Sequence, residues 1–151
     1  MLRQSIIALS LIGLSSAVSP AAFADKPPIY HGLFDDLAVG GYDPVAYFTG
    51  GKPVEGKKAF EYKHKGATWR FATAENLAAF KADPDKYAPQ YGGYCAWAAA
   101  QGYTAKGDPK AWKIVNGKLY LNFNGDLNTT FAKDSAKFIS SAETNWKTLN
   151  R

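Results

Sequence analysis

The sequence predicts a small α+β domain, and three observations carry that reading. Two tight-turn pairs, Lys65-Gly66 and Asn116-Gly117, are each flanked by alternating apolar residues, the mark of a β-hairpin. Thr73 stands before Ala74-Glu75-Asn76-Leu77-Ala78-Ala79-Phe80-Lys81, a hydroxyl cap ahead of good helix formers. Near the end, Leu127, Phe131, Phe138, Ala142 and Trp146 recur at helical steps. Two hairpins and a short strand are therefore expected to pack against two short helices and a longer C-terminal helix.

The first residues read as a leader. Arg3 supplies one positive charge, an apolar run follows from Ile6 to Val18, and Ala22-Phe23-Ala24 has the small-x-small form of a cleavage site. Residues 1–24 are expected to be a signal peptide and 25–151 one exported domain. The run is short and serine-rich for a membrane span, and no second such run follows, so the compartment expected is the periplasm or the exterior. The net charge of +5 comes from scattered lysines, which argues against nucleic acid as a partner. The chain has one cysteine, Cys95. In an oxidising compartment it cannot close an internal disulfide.

The residues after the leader fall into place in order. Asp25 to Leu33 contains Pro27-Pro28 and reads as an irregular arm carrying His31. Gly40-Gly41 allows a tight turn, and Asp43-Pro44 leads into an apolar strand around Tyr47. In the first hairpin, His64 should pair with Ala67, Tyr62 with Trp69 and Phe60 with Phe71, all on one aromatic face. Asp83-Pro84 ends the next helix, and a loop with Tyr87 and Pro89 follows. Tyr91-Gly92-Gly93-Tyr94 then runs into Cys95-Ala96-Trp97-Ala98-Ala99-Ala100, a helix stopped at Gly102. In the second hairpin Val115 should face Lys118, Ile114 Leu119, and Trp112 Leu121. Lys113 and Tyr120 should point outward. Asn128 or Thr129 should cap the last helix. Trp69, Phe71, Leu77, Phe80, Trp112, Ile114, Leu119, Leu121, Phe131 and Phe138 are the expected core. No internal repeat, low-complexity tract or second domain is apparent from the sequence.

Cys95 marks the expected site. In the first turn of its helix, unpaired N–H groups and the positive dipole end would favour a thiolate, a metal-bound sulfur or an anion. A small cysteine among alanines also suits plain packing. Flanking apolar residues predict that it is shielded, with aromatic rings from the Gly92-Gly93-Tyr94 turn or the first hairpin nearby. His64, at the tip of the aromatic face, is a second metal-ligand candidate, with a transition metal such as copper or zinc as the cofactor. A tetrahedral zinc site needs four ligands, and Cys95, His64 and His31 supply three, leaving Asp43 or water for the last. Tyr91, Gly93, Tyr94 and Asp43 are the expected contacts for a small ligand. No phosphate loop, zinc-protease helix or nucleophile elbow is present. A Cys95–His64 nucleophile–base pair remains as an enzymatic reading, and a ligand-free interaction module as a third. Monomer or weak homodimer is expected.

Several stretches together resemble the YHS-domain family, in its exported branch. They are Gly41-Tyr42-Asp43-Pro44-Val45-Ala46-Tyr47-Phe48, Lys65-Gly66-Ala67-Thr68-Trp69-Arg70-Phe71-Ala72-Thr73, Phe80 through Tyr87, the Tyr91–Trp97 block, and Ala111–Val115 with Lys118–Asn122. The resemblance implies a hairpin-plus-helix unit of the kind that senses or carries metals, related to TRASH-type domains. Metal-binding members carry one cysteine after the Asp-Pro-Val stretch and another at the hairpin end. Here those places hold Ala46 and Ala72.

If the leader reading is right, N-terminal sequencing of the exported protein begins at Asp25. A chain that keeps Met1 and stays in the cytosol would refute it.

Overall fold

Asp43 redirects the chain where a strand was expected. Its carboxyl oxygen accepts from the Val45 N–H at 2.8 Å and the Ala46 N–H at 3.3 Å, and Pro44 supplies a backbone angle that suits a helical start. The result is a helical turn, α1 (Ala46–Thr49), in place of the strand around Tyr47. The structure, a computed structural model, describes residues 26–151; the leader expected over 1–24, with its junction at Asp25, lies outside the described residues.

After α1 come β1 (Lys57–His64) and β2 (Ala67–Phe71), α2 (Ala74–Ala82), α3 (Pro84–Tyr87), α4 (Ala96–Gln101), β3 (Asp108–Val115) and β4 (Lys118–Asn122), then α5 (Gly125–Lys133) and α6 (Ser135–Leu149). Each hairpin is its own two-stranded antiparallel sheet. Near both turns the register is the expected one: His64 faces Ala67 and Tyr62 faces Trp69, while Val115 faces Lys118, Ile114 Leu119 and Trp112 Leu121. The expected Phe60–Phe71 pair is absent. Glu61 lies opposite Arg70 and Lys57 opposite Phe71, so β1 bulges between them.

Caps explain the helix boundaries. Thr73 Oγ1 accepts from the Asn76 N–H at 3.1 Å. Asp83 ends α2 and also begins α3, accepting from the Lys86 N–H at 3.3 Å. The expected loop through Tyr87 is therefore partly helical. The expected single C-terminal helix is two, because Asp134 leaves helical geometry (φ −147°, ψ 57°). Asn124, not Asn128 or Thr129, caps the first of them, accepting from the Leu127 N–H at 2.9 Å.

These details reveal an internal repeat that the sequence reading missed. Val39-Gly40-Gly41 and Tyr91-Gly92-Gly93 trace the same left-handed turn, with φ of 53°, 57° and 83° in the first and 57°, 63° and 83° in the second. Asp43 N then donates to Val54 O, as Cys95 N does to Ala105 O. Tyr42 bridges Glu55 as Tyr94 bridges Lys106. The bulge between Lys57 and Glu61 recurs between Asp108 and Trp112. Lys65-Gly66 and Asn116-Gly117 turn alike, with positive φ throughout. Thr73 and Asn124 cap equivalent helices, buried Phe80 and Phe131 occupy equivalent places, and Asp83 and Asp134 make equivalent breaks. The domain is two copies of one turn–helix–hairpin–helix unit.

The second hairpin joins the copies. Leu119 and Leu121 lie in a core with Val45, Tyr47, Trp69, Phe71 and Phe80, and Trp112, Ile114 and Leu77 pack partly buried against it. Tyr120, expected to point out, is buried on the opposite face with Tyr91, Ala96, Phe131 and Ala142, where Phe138 and Trp146 pack partly buried. Both faces of β4 are covered, so the alternation rule for a half-exposed strand does not apply there. No helix among the described residues is long and apolar enough to cross a membrane.

Gly56 and Gly107 are equivalent close-approach points. A Cβ on Gly56 would stand 2.5 Å from Arg70 backbone carbon, and one on Gly107 2.1 Å from Gly93 O. Gly56→Ala and Gly107→Ala should each destabilise by about 2 kcal/mol or more. Gly66→Ala and Gly117→Ala meet open space and should cost only about 1 kcal/mol, for their left-handed backbone. Urea unfolding midpoints would report the contrast.

Candidate functional site

The two copies differ most at the residue that follows their shared turn. In the first copy Asp43 is fully buried. Besides the two N–H groups of α1, it accepts from Ala72 N at 2.8 Å and from the Asn76 amide at 2.7 Å. One carboxyl group thus ties the turn, the end of β2 and α2 together. Asp43 was expected to touch a ligand; its hydrogen bonds go to the fold.

In the second copy that position is Cys95. Its Sγ accepts from Ala98 N at 3.4 Å and Phe123 N at 3.2 Å, the counterparts of Ala46 N and Ala72 N. The cysteine is thus the N-cap of α4 rather than a first-turn residue. The partner residues change as well. Where the first copy has Asn76, the second has Leu127, and where it has apolar Phe71 and Leu77, the second has Asn122 and Asn128. Buried Asn122 accepts from Trp97 N at 2.9 Å and lies 3.8 Å from Sγ, toward which the thiol points as donor. Its amide donates to Asn128 Oδ1 at 3.0 Å, and the Asn128 amide donates to Trp112 O at 2.9 Å. The sequence reading missed this pair as site residues; an asparagine at an inward strand position was the available signal.

The exchange makes this place apolar. In the first copy the Asn76 amide reaches Asp43. In the second, a pocket of about 430 Å³ opens beside Cys95, walled by Ala98, Tyr103, Ala105, Phe123 and Leu127, with Asp126 at its rim. Cys95 is fully shielded, as expected, whereas Tyr103 and Phe123 remain 48% and 40% exposed. The rings that line its pocket are those of Tyr103 and Phe123, in place of the Gly92-Gly93-Tyr94 turn or the first hairpin. Burial pushes the thiol pKa up, and the hydrogen bonds from Ala98 and Phe123 offset this only in part. At neutral pH the group is a protonated thiol, a soft and weakly polar floor to an apolar pocket, and a poor nucleophile.

The other expected site residues gather elsewhere. His64 packs among Tyr62, Trp69 and Phe80 and lines a separate cleft, together with Tyr91. Tyr94 donates from its hydroxyl to Pro27 O at 2.9 Å, and Gly92 O accepts from Tyr30 N at 2.8 Å. The Tyr91–Tyr94 turn therefore holds the N-terminal arm. Gly93 serves the turn itself, with φ 83°. His31 Nδ1 is 2.9 Å from Gly32 O and 3.0 Å from Asp35 O, within its own arm. Cys95 and His64 do not line a common pocket, and among the described residues no group of three or more His, Cys, Asp or Glu side chains could hold a metal ion.

Comparison with known families places residues 45–91 in the match to one family model, described as the YHS domain. No curated protein and no solved structure matches the chain. The matched span runs from just before α1 to the start of the second turn, and so covers the first copy without its opening turn and Asp43.

A raised thiol pKa makes a specific pH dependence. The folded state holds the proton more tightly than the unfolded chain, so this contribution is complete below the ordinary thiol value of 9.0 and is lost as pH rises above it. Tyr94, pushed up to about 12, and the buried Tyr47, Tyr91 and Tyr120 add losses of the same sign at higher pH. Cys95→Ser keeps an acceptor for the two N–H groups but removes the thiol titration. Its stability should fall less than that of the native protein above pH 9, measured by denaturant unfolding across the alkaline range. A bulky thiol reagent should label native Cys95 slowly.

Proposed function

We propose that the protein, whose residues 45–91 are a YHS domain, is an exported, non-catalytic binding module that takes a small, largely apolar ligand in the Cys95 pocket. The observation that carries this reading is the exchange between the two copies. The same backbone cradle carries the polar Asp43–Asn76 pair in one copy and a thiol with Leu127 in the other, where an apolar pocket opens beside them. A volume of about 430 Å³ is in the range of small-molecule sites, and a ligand there would meet aromatic and aliphatic walls with a few polar groups at the rim.

The donor set does not fit a transition metal. Ala46 and Ala72 stand where metal-binding relatives of the family would place thiolates, and Cys95 has no second soft ligand in its pocket. Catalysis by Cys95 would need a base close to the thiol, whereas Asn122 Oδ1 and two peptide N–H groups surround it. Export rests on the leader reading.

Benzyl alcohol is a suitable probe. Titrated into isotope-labelled protein, it should shift the amide signals of Ala98, Tyr103, Phe123 and Leu127 saturably. The double variant Cys95→Asp/Leu127→Asn rebuilds the pair of the first copy and should remove most of that response while the remaining spectrum stays folded. No response in the native protein, or an undiminished one in the double variant, would refute the reading.

A further inference from the structure

A second cleft, of about 450 Å³, lies where the two copies meet. Its floor is the linker Ala88–Gly92, which joins them. The tip of the first hairpin forms one wall with His64, Lys65 and Trp69, and Lys118 at the start of β4 stands with Trp146 of α6 across the linker. Pro28 and Ile29 of the N-terminal arm close one side. The cleft exists only because both copies, the linker and the arm come together; it has no counterpart inside either copy. Junctions of this kind are favoured places for small-molecule binding.

Its polar lining is unbalanced. Two ammonium groups, Lys65 and Lys118, border it, with the side-chain amides of Gln90 and Asn150, against one carboxylate, Asp85. Lys65 lies 3.4 Å from Asp85. Lys118 has no carboxylate within ion-pair distance among the described residues. The half-buried indole of Trp146 and the exposed ring of Pro28 supply apolar surface beside these charges, with Trp69 and Pro89 buried beneath them. Tyr91, which lines the cleft and is only 8% exposed, carries the one buried side-chain polar atom without a hydrogen-bond partner among the described residues. Its backbone is held at φ 57°, so the linker keeps a left-handed turn at this place despite the cost to a tyrosine.

We propose that this inter-copy cleft binds a small carboxylate with an aromatic or aliphatic body, the anion held by Lys118 with Lys65 beside it and the body lying against Trp146. An ammonium group next to apolar walls binds a carboxylate more strongly than one in open water, because the charge-assisted hydrogen bond is partly desolvated. Lysine, with one compact charge, suits a carboxylate without demanding the forked geometry of arginine. The site is independent of the Cys95 pocket.

Benzoate, benzyl alcohol and inorganic phosphate separate the possibilities. Benzoate should shift the signals of His64, Lys65, Ala88–Gly92 and Lys118 saturably and change the indole signal of Trp146. Benzyl alcohol, which has the ring without the charge, and phosphate, which has the charge without the ring, should each bind this cleft at least tenfold more weakly. Lys118→Gln, an exposed substitution, should weaken benzoate binding about tenfold and leave the benzyl alcohol response at Cys95 unchanged. No saturable benzoate response at the cleft, equal binding of benzyl alcohol or phosphate there, or unaltered benzoate affinity in Lys118→Gln would overturn the proposal.

Discussion

Much of this structure depends on one local constraint: a left-handed turn leaves peptide N–H groups converging on the residue that follows, and something must accept from them. Buried N–H groups without partners cost about 1–3 kcal/mol each. In the first copy Asp43 answers with two oxygens and gathers α1, the end of β2 and α2 onto one side chain. In the second, a sulfur does so and binds α4 and the residue after β4. A thiol is a weaker acceptor than a carboxyl oxygen, and the Asn122–Asn128 pair adds the polar ties that sulfur cannot make, to Trp97 N and Trp112 O. Cys95 is therefore first of all an acceptor required by the backbone. The pocket beside it is apolar because Leu127 stands where the first copy has Asn76.

The second constraint is that neither copy closes a core alone. Leu119 and Leu121 complete the core of the first copy, while Tyr120 between them completes the core of the second. The link is reinforced by Tyr47, whose hydroxyl donates to Pro109 O at 2.6 Å and whose ring meets Trp112 edge-on. The arm contributes through Tyr30 and Tyr94, whose rings meet edge-on, and through Lys26, which lies over Tyr94 and Trp146 and donates to Leu149 O. The cleft between the hairpin tip and α6 is a by-product of that arrangement, since it lies where the copies are joined.

The repeat shows what makes a fold hard to read from its sequence. The copies agree at turns and caps: Gly40-Gly41-Tyr42 with Gly92-Gly93-Tyr94, Lys65-Gly66 with Asn116-Gly117, Thr73 with Asn124, Phe80 with Phe131. These are positions where backbone geometry admits few residues. Between them the packing residues differ, because each copy faces different neighbours. A scan for similar residues sees little there, while the hydrogen bonds, which involve main-chain atoms, repeat nearly one for one.

What the sequence by itself determined were features governed by a few adjacent residues. Both hairpin turns with their nearest pairs, the Thr73 cap, the Gly102 stop and the shielding of Cys95 belong here, since short-range sterics and local hydrogen bonds decide them. The α+β class followed from the same signals. Tertiary structure alone decided the remainder. It buried both faces of β4 and bulged β1 between Lys57 and Glu61. It also separated His64 from the pocket of Cys95 and placed Asn122 against the thiol. Each of these depends on which surfaces meet across long stretches of chain, and burial against a distant neighbour overrides local periodicity wherever the two disagree.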